Sequence, residues 1–443
     1  MVRRIRPCRR PSSSRPSSRR TGRFGWRMGL SAEGFHLVFS EHFRTEGIMR
    51  NSIDWTLLIV AIALVLIGIL LIYSVSPKSQ FWLKQAIYFG IGLVAMVVVW
   101  RIPLRVHYSI GWIYYGIMLL ILVAVLVQGG EVRRWLHLGA MTIQPSEFAK
   151  VLLVFVIGRF LYDRKRDIEN PKTIIGAIIL TAVPFAIVMG QPDLGTSMVF
   201  MAILVTMLYT AGISEITLFI LASPFLSLIS AVHWIPWAIY FIGLILILWF
   251  TRTRLILFMP TVLVNLFLGV ITPAIWRNIH EYQKERILVF LDPGRDPFGA
   301  GYQIIQSKIA LGSGQFWGKG FMEGTQVNLA FLPARHTDFI FAVLGEQFGL
   351  VGCTVVLALF AILFYRIIKI ADEARNLYTR MVAIGCGSVL FFGTVVNIGM
   401  VSGIMPVTGL PLPFLSLGGT SLITSMILIG ILQNIYTHGV EGP

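Results

Sequence analysis

Residues 332–364 read LPARHTDFIFAVLGEQFGLVGCTVVLALFAILF. The stretch closes the polar segment 277–337 and opens an apolar run that reaches Leu363 and Phe364. A span of a bilayer needs about 20 mostly apolar residues, so this run reads as a transmembrane helix. Arg335, His336 and Asp338 stand together where the chain turns hydrophobic. A helix N-cap accounts for an acid at Asp338, with Thr337 beside it, and contributes about 1 kcal/mol. A cap needs no neighbouring guanidinium, whereas Arg presents a fork suited to carboxylate or phosphate. The stretch therefore reads both as a helix start and as part of a polar site.

Outward from it, the composition repeats the message. The chain has 443 residues, 56% hydrophobic and 13% charged, where a soluble domain carries about a quarter charged residues. Long runs nearly free of charge imply an all-α, polytopic helical membrane protein. A β-barrel needs short alternating segments, and these runs are continuous. Spans are expected near 55–74, 81–100, 110–128, 146–162, 173–190, 196–211, 215–232, 235–250, 255–276, 338–365, 381–402 and 415–436. The triplet between 215 and 276 has very short connectors. No short-period repeat suggests a solenoid.

The net charge of +16 is unevenly placed: residues 1–50 hold 12 Arg and 3 Glu, +9 of the total. The opening MVRRIRPCRRPSSSRPSSRRTGRF has no carboxylate and cannot build a core. Residues 1–50 are expected to be a disordered basic tail, or the product of an upstream start codon with Met49 as the true start. No apolar h-region follows those arginines closely, so no secretory signal is expected. Residues 51–443 form one membrane domain, with 277–337 as an extracytoplasmic loop before the third-last helix. Basic residues collect before Asp54, at Arg101–Arg105, at Arg164–Arg166, at Arg252–Arg254 and from Arg366 to Arg380. The bias of cytoplasmic loops toward Lys and Arg puts both termini in the cytoplasm. Cys8, Cys353 and Cys386 make no disulfide framework or zinc pattern. No nucleic-acid partner is expected.

Three segments on the opposite side carry unusual polar chemistry: QPSEFAK (144–150), QPDLGTS (191–197) and the loop ending in HTDFIF. Glu147 and Lys150 share a helix face. Their pairing offsets the cost of charge in a span, and Lys150 is equally a contact for phosphate, with Glu147 orienting it or holding a metal. Asp193 follows a helix-ending Pro192 and can cap the next helix or join the same site. Pro406, Pro411 and Pro413 with Gly409, Gly418 and Gly419 suggest non-helical backbone lining a cavity. Tyr302, Ile305 and Ile309 recur at helical spacing, which suits an amphipathic helix at the interface. The glycines from Gly312 to Gly324 make a tightly turning stretch, but GSGQFWGKG lacks P-loop spacing.

QPSEFAK, QPDLGTS, DPFGAGYQIIQSKIALGSG, GTQVNLAFLPARHTDFIFAVLGEQFGLVG and NIGMVSGIMPVTGLPLPFLSLGG together resemble the SEDS family of shape, elongation, division and sporulation proteins. The resemblance runs from about Ile53 to the C-terminus and is closest to the elongation branch, the RodA-type peptidoglycan glycosyltransferases. It implies a fold of ten to twelve spans in the bacterial cytoplasmic (inner) membrane. It also implies polymerisation of lipid II, the undecaprenyl-pyrophosphate-linked disaccharide peptide, within the elongation machinery and beside a class B penicillin-binding protein that crosslinks the strands. Asp338 is then the catalytic aspartate, and Glu147, Lys150 and Asp193 are polar residues of the central cavity. A divalent cation, Mg²⁺ or Mn²⁺ held by Asp193 or Glu147, is expected. Arg335, Lys150 and Lys319 are expected to meet the pyrophosphate, with His336 orienting Asp338 or serving as the base itself. The sequence departs from the family in its tail, in two apparent extra spans within 233–276, and at Gln315–Phe316, where a Gly and an apolar residue are expected. A lipid II flippase or ion-coupled transporter is the competing reading, since intramembrane carboxylates and broken helices suit a carrier too.

Overall fold

A computed structural model describes residues 53–128, 134–138, 141–231, 233–253, 255–278, 288–290, 292, 294, 296, 301–324 and 335–438. All of these belong to the unit Met49–Pro443. The expectations for the tail 1–50, for Cys8, for most of 279–300 and for 325–334 lie outside the described residues.

The first half runs through α1 (Trp55–Val75), α2 (Phe81–Arg101), α3 (Leu104–Ser109) and α4 (Gly111–Val127). A hairpin of β1 (Leu136–Leu138) and β2 (Met141–Ile143) then leads to α5 (Pro145–Asp163), α6 (Pro171–Gly190) and α7 (Leu194–Ala211). The second half holds α8 (Glu215–Ser230), α9 (Trp234–Phe250), α10 (Leu255–Asn278), α11 (Tyr302–Ser313), α12 (Ile340–Glu373), α13 (Leu377–Val401) and α14 (Gly419–His438). Each of the twelve expected spans coincides with a helix, the largest change being α12, which continues to Glu373. The antiparallel hairpin, pairing Leu136 with Ile143, is a small addition to the all-α expectation.

Eight helices among the described residues are long and apolar enough to cross a membrane. The helices at 111–127, 215–228 and 234–250 are apolar but shorter, and α5 carries Glu147, Lys150, Arg159 and Asp163. Apolar side chains lie on the outside as well as within: Phe250, Leu255 and Val270 are exposed while Glu147, Asp193 and Asn397 are buried. That inversion is the signature of a lipid solvent, because in hydrocarbon only polar groups gain by hiding.

α5, α13 and α14 are the most enclosed helices, with α7 beside them. Asp54 closes one end of this bundle. Its Oδ1 accepts from the Leu57 amide, capping α1, and its Oδ2 pairs with Arg366 of α12 at 2.5 Å. Gln433 of α14 exchanges two hydrogen bonds with the Asp54 backbone, 2.8 and 3.0 Å. The triplet α8–α10 is stapled by its own polar groups. Asn265 donates to Ser223 Oγ at 2.9 Å, Tyr240 to the Ser223 carbonyl at 2.7 Å, and Trp237 to Ser227 Oγ at 3.1 Å.

α12 is broken at Gly349, whose φ of 60° and ψ of −156° leave the helix. A break in a membrane helix frees backbone groups that lipid cannot satisfy, at several kcal/mol each. Here the glycine-rich turn after α11 fills it. The amides of Leu350 and Val351 donate to the carbonyls of Gln315 and Phe316, at 2.9 and 3.2 Å. In return the amides of Lys319 and Gly320 donate to the carbonyls of Glu346 and Gln347, at 2.9 and 3.1 Å. Gly314 permits the approach, since a Cβ there would overlap the Gly345 carbonyl. The glycines at 312–324, uninformative one by one, thus form a backbone clasp.

Gln315, the family departure, adopts φ 50° within this clasp. The left-handed region costs a residue with a Cβ roughly 1–2 kcal/mol. Gln315→Gly is expected to raise stability by about 0.5–1 kcal/mol after the added entropy of the unfolded chain is subtracted. A higher unfolding midpoint in detergent checks this, and a lower one contradicts it.

α11 forms where the helical spacing predicts, but its enclosed face is Ile304, Ser307 and Ala310. Ser307 Oγ donates to the Val401 carbonyl at 2.5 Å, while Ile309 stays exposed. The apolar stripe 302–305–309 read from the sequence is therefore the outer face, as suits a helix lying in the interface.

Candidate functional site

The polar residues converge on the irregular, proline-rich segment 402–418. Its middle, Thr408 to Pro413, touches each of the three motifs in turn.

Pro145 at the first position of α5 presets the helix and brings Glu147 and Lys150 onto one inward face. Lys150 Nζ lies 2.7 Å from Glu147 Oε2, and both side chains are buried. They line an open recess with Leu410, Pro411 and Pro413 and with Thr424 and Ser425 of α14, about 330 Å³ when the space at its mouth is included. Asp193 is the N-cap of α7: its Oδ1 accepts from the Thr196 amide at 3.2 Å. Its Oδ2 accepts from Gln144 Nε2 at 2.8 Å, Thr196 Oγ1 at 2.9 Å and Ser146 Oγ at 3.5 Å. Capping and site membership are both true of this residue, because Gln144 and Ser146 flank the start of α5. A Cβ on Gly195 would strike Leu410 and the Thr408 carbonyl, so the α7 N-terminus abuts the same segment.

Residues 335–339 form a turn, and α12 begins at Ile340 with Phe339 as its N-cap. Asp338 is therefore not the cap. Its carboxylate lies beside Gly409, where a Cβ would sit 3.8 Å from Oδ2. Gly409 has φ 74°, which favours glycine there. The turn is held by its backbone: Asn397 Nδ2 donates to the carbonyls of Asp338 and Leu410, at 2.9 and 2.8 Å. Ser416 Oγ donates to the Thr337 carbonyl at 2.6 Å, and the Leu417 amide to the His336 carbonyl at 2.9 Å. Gln85 of α2 grips the far end of the strap, donating to the Ser416 carbonyl at 2.9 Å. The His336 ring stacks on Phe81, 4.8 Å between centroids. Burial, with the Arg335 charge adding to it, lowers the His336 pKa from its ordinary value. Arg335 is half-buried on the same turn.

Sequence reading missed Asn397, Gln85, Gln144 and Ser416. The first two carry a signal in retrospect, as lone amides within apolar runs, VVNIGM and KQAIYF.

Lys319 is placed elsewhere. Its Nζ lies 2.8 Å from Glu346 Oε1, in the clasp, with the Glu346 side chain fully enclosed. Lys319→Met is expected to cost about 1–3 kcal/mol, discounted because the ammonium is partly exposed. A lower unfolding midpoint with an unchanged KM for the substrate fits this ion pair. A raised KM at unchanged stability returns Lys319 to the substrate.

The expected metal finds a poor donor set. Asp193 Oδ2 already accepts up to three hydrogen bonds, and Glu147 is neutralised by Lys150. Hard divalent cations take six or more oxygen ligands. Among the described residues no group of three or more His, Cys, Asp or Glu side chains could hold a metal ion. Asp193 and Glu147 do not fit that cation in this arrangement.

Comparison with known proteins places the fold and the family. A family model for FtsW, RodA and SpoVE, described as "Cell cycle protein", matches residues 54–240 and 236–440. The chain is 39% identical over 396 residues to the peptidoglycan glycosyltransferase MrdB of Escherichia coli (strain K12), covering 88% of this chain and 95% of that one. It is 32% identical to the peptidoglycan glycosyltransferase RodA of Treponema pallidum (strain Nichols), covering 87% and 98%. A solved chain of a peptidoglycan synthase complex, described for its coordination of polymerization and crosslinking, superposes with TM-score 0.67 at 29% identity, over 88% of this chain and 99% of that one. The fold also matches the RodA crystal structure from Thermus thermophilus, with TM-score 0.59 at 24% identity and the same coverage. With a family model spanning nearly all of 54–440 and relatives matched almost end to end, this chain belongs to the FtsW/RodA/SpoVE family.

Proposed function

We propose that this protein is a multi-pass bacterial inner-membrane peptidoglycan glycosyltransferase that polymerises lipid II during rod-shaped elongation. Its termini face the cytoplasm, and it works with a class B penicillin-binding protein transpeptidase. The observation that carries the reading is the placement of Asp338 against Gly409, on the segment whose next residues line the Glu147–Lys150 cavity. Asp338 thus lies against the same segment whose next residues line the recess of the buried Glu147–Lys150 pair.

In this reading the acceptor 4-hydroxyl attacks the donor anomeric carbon from the face opposite the leaving group. Asp338 takes the hydroxyl proton as the new C–O bond forms. The bond from the anomeric carbon to the pyrophosphate oxygen breaks, with inversion. Lys150 has three N–H donors and uses one on Glu147, so the others are available to the departing phosphate. Arg335 offers a bidentate fork from the turn that carries the base.

His336 orients the turn through its stack on Phe81. With its pKa lowered by burial, the ring stays mainly neutral from about pH 8 down to about pH 6.5 and charges only below that. His336→Gln is expected to keep polymerisation within about tenfold of the parent and to leave the pH–rate profile unchanged above about pH 6.5. Loss of a general base costs about 10²–10⁴-fold, so a loss on that scale transfers the base role to His336.

The deciding experiment follows labelled lipid II with detergent-purified protein, alone and with its transpeptidase. Glycan chains longer than the substrate are the expected result. Transfer of lipid II between leaflets of a vesicle with no glycan formed identifies a flippase instead.

A further inference from the structure

A second, shallow recess open to the surface lies at the opposite end of the bundle, lined by Arg101, Pro103, Leu104, Asn434 and His438, with about 270 Å³ of empty space when the open mouth is included. Arg101 and His438 occupy the last turns of α2 and α14, and both are exposed. Asn434 is enclosed, at 1% exposure. Its Nδ2 donates to the carbonyls of Trp100 and Ile102, at 2.6 and 2.8 Å. Those bonds fix the amide orientation, and they cover two of the carbonyls that would otherwise repel an anion at a helix C-terminus. The Asn434 Oδ1 has no hydrogen-bond partner. Trp100 donates its indole N–H to Thr437 Oγ1 at 3.0 Å, and the Arg101 guanidinium lies 5.8 Å from that ring. A Trp, an Arg and a His at the ends of apolar helices mark headgroup depth.

We propose that this recess binds the headgroup of a membrane glycerophospholipid. Its phosphate meets Arg101 and His438, and a headgroup hydroxyl or ammonium donates to Asn434 Oδ1. The Arg101 guanidinium calls for an anion, with the His438 ring beside it as a second polar contact, and a buried, orphaned acceptor calls for a donor. Phosphatidylglycerol and phosphatidylethanolamine carry both on one molecule, whereas phosphatidylcholine has the phosphate but no N–H or O–H to give. The ring of basic residues Arg101, Arg105 and Arg164–Arg166 places this end at the cytoplasmic leaflet, away from the chemistry at Asp338.

Native mass spectrometry of the full chain in detergent tests the proposal, with phosphatidylglycerol, phosphatidylethanolamine, phosphatidylcholine and inorganic phosphate as probes. Phosphatidylglycerol and phosphatidylethanolamine are expected to be retained about tenfold more than phosphatidylcholine. The surface double variant Arg101→Gln/His438→Gln, which leaves the Asn434 bonds in place, should lose that retention by about the same factor. Equal retention of phosphatidylcholine, or an unaltered double variant, overturns the site. Displacement of bound lipid by millimolar inorganic phosphate overturns the lipid assignment and leaves a free-phosphate site.

Discussion

Asp338→Asn is expected to lower lipid II polymerisation by about 10²–10⁴-fold while leaving the protein folded and bound to its partner. The substitution preserves shape and removes the negative charge, and with it the capacity to take a proton. The turn that carries the residue is held through backbone carbonyls, by Asn397, Ser416 and the Leu417 amide, so the side chain can change without releasing it. The separation of effects is the content of the prediction. Turnover of labelled lipid II should collapse, and the unfolding midpoint should move by no more than about 0.5 kcal/mol equivalent. A variant that polymerises at the parent rate removes Asp338 from the chemistry, and one that fails to fold removes the claim that the strap acts through the backbone.

Gly349→Val should have the largest effect on stability. The φ of 60° is an outlier for a β-branched residue, and a Cβ there would run into the backbone of Phe316 and Gly318. Left-handed strain of about 1–3 kcal/mol and overpacking of similar size sum to about 2–6 kcal/mol. The collision also opens the clasp, exposing the carbonyls of Glu346 and Gln347 and the amides of Leu350 and Val351 where water is scarce. A fall of roughly 5–10 °C in the unfolding midpoint of detergent-purified protein is expected. Because α12 begins immediately after the Asp338 turn, polymerisation should fall with it. An unchanged midpoint would falsify the clasp as a stabilising device.

The candidate site was legible in part. Glu147 and Lys150 were readable as a pair from their spacing of three, and the ion pair is there. Asp193 was readable as a cap, and it is one, but its bonds to Gln144 and Ser146 could not be read because those residues lie far away in sequence. Asp338 invited the cap reading, and the helix instead starts two residues later, at Ile340. Lys319 was expected as a cation for the pyrophosphate, within a stretch rich in glycine. Those glycines serve the break at Gly349, and the lysine serves Glu346.

The sequence by itself determined the class of solvent, the places and order of the long apolar helices, and which polar residues had to be accounted for. Each of these depends on local composition and on periods of a few residues, and the free energy of moving a side chain between water and hydrocarbon is a property of that side chain. Tertiary structure alone decided which polar groups satisfy one another. The strap at 402–418 under the Asp338 turn, the clasp of 315–320 on 346–351 and the bond from Gln144 to Asp193 join residues distant along the chain. A buried hydrogen bond needs its partner within about 3 Å, and that proximity is set by how the helices pack, which no local pattern encodes.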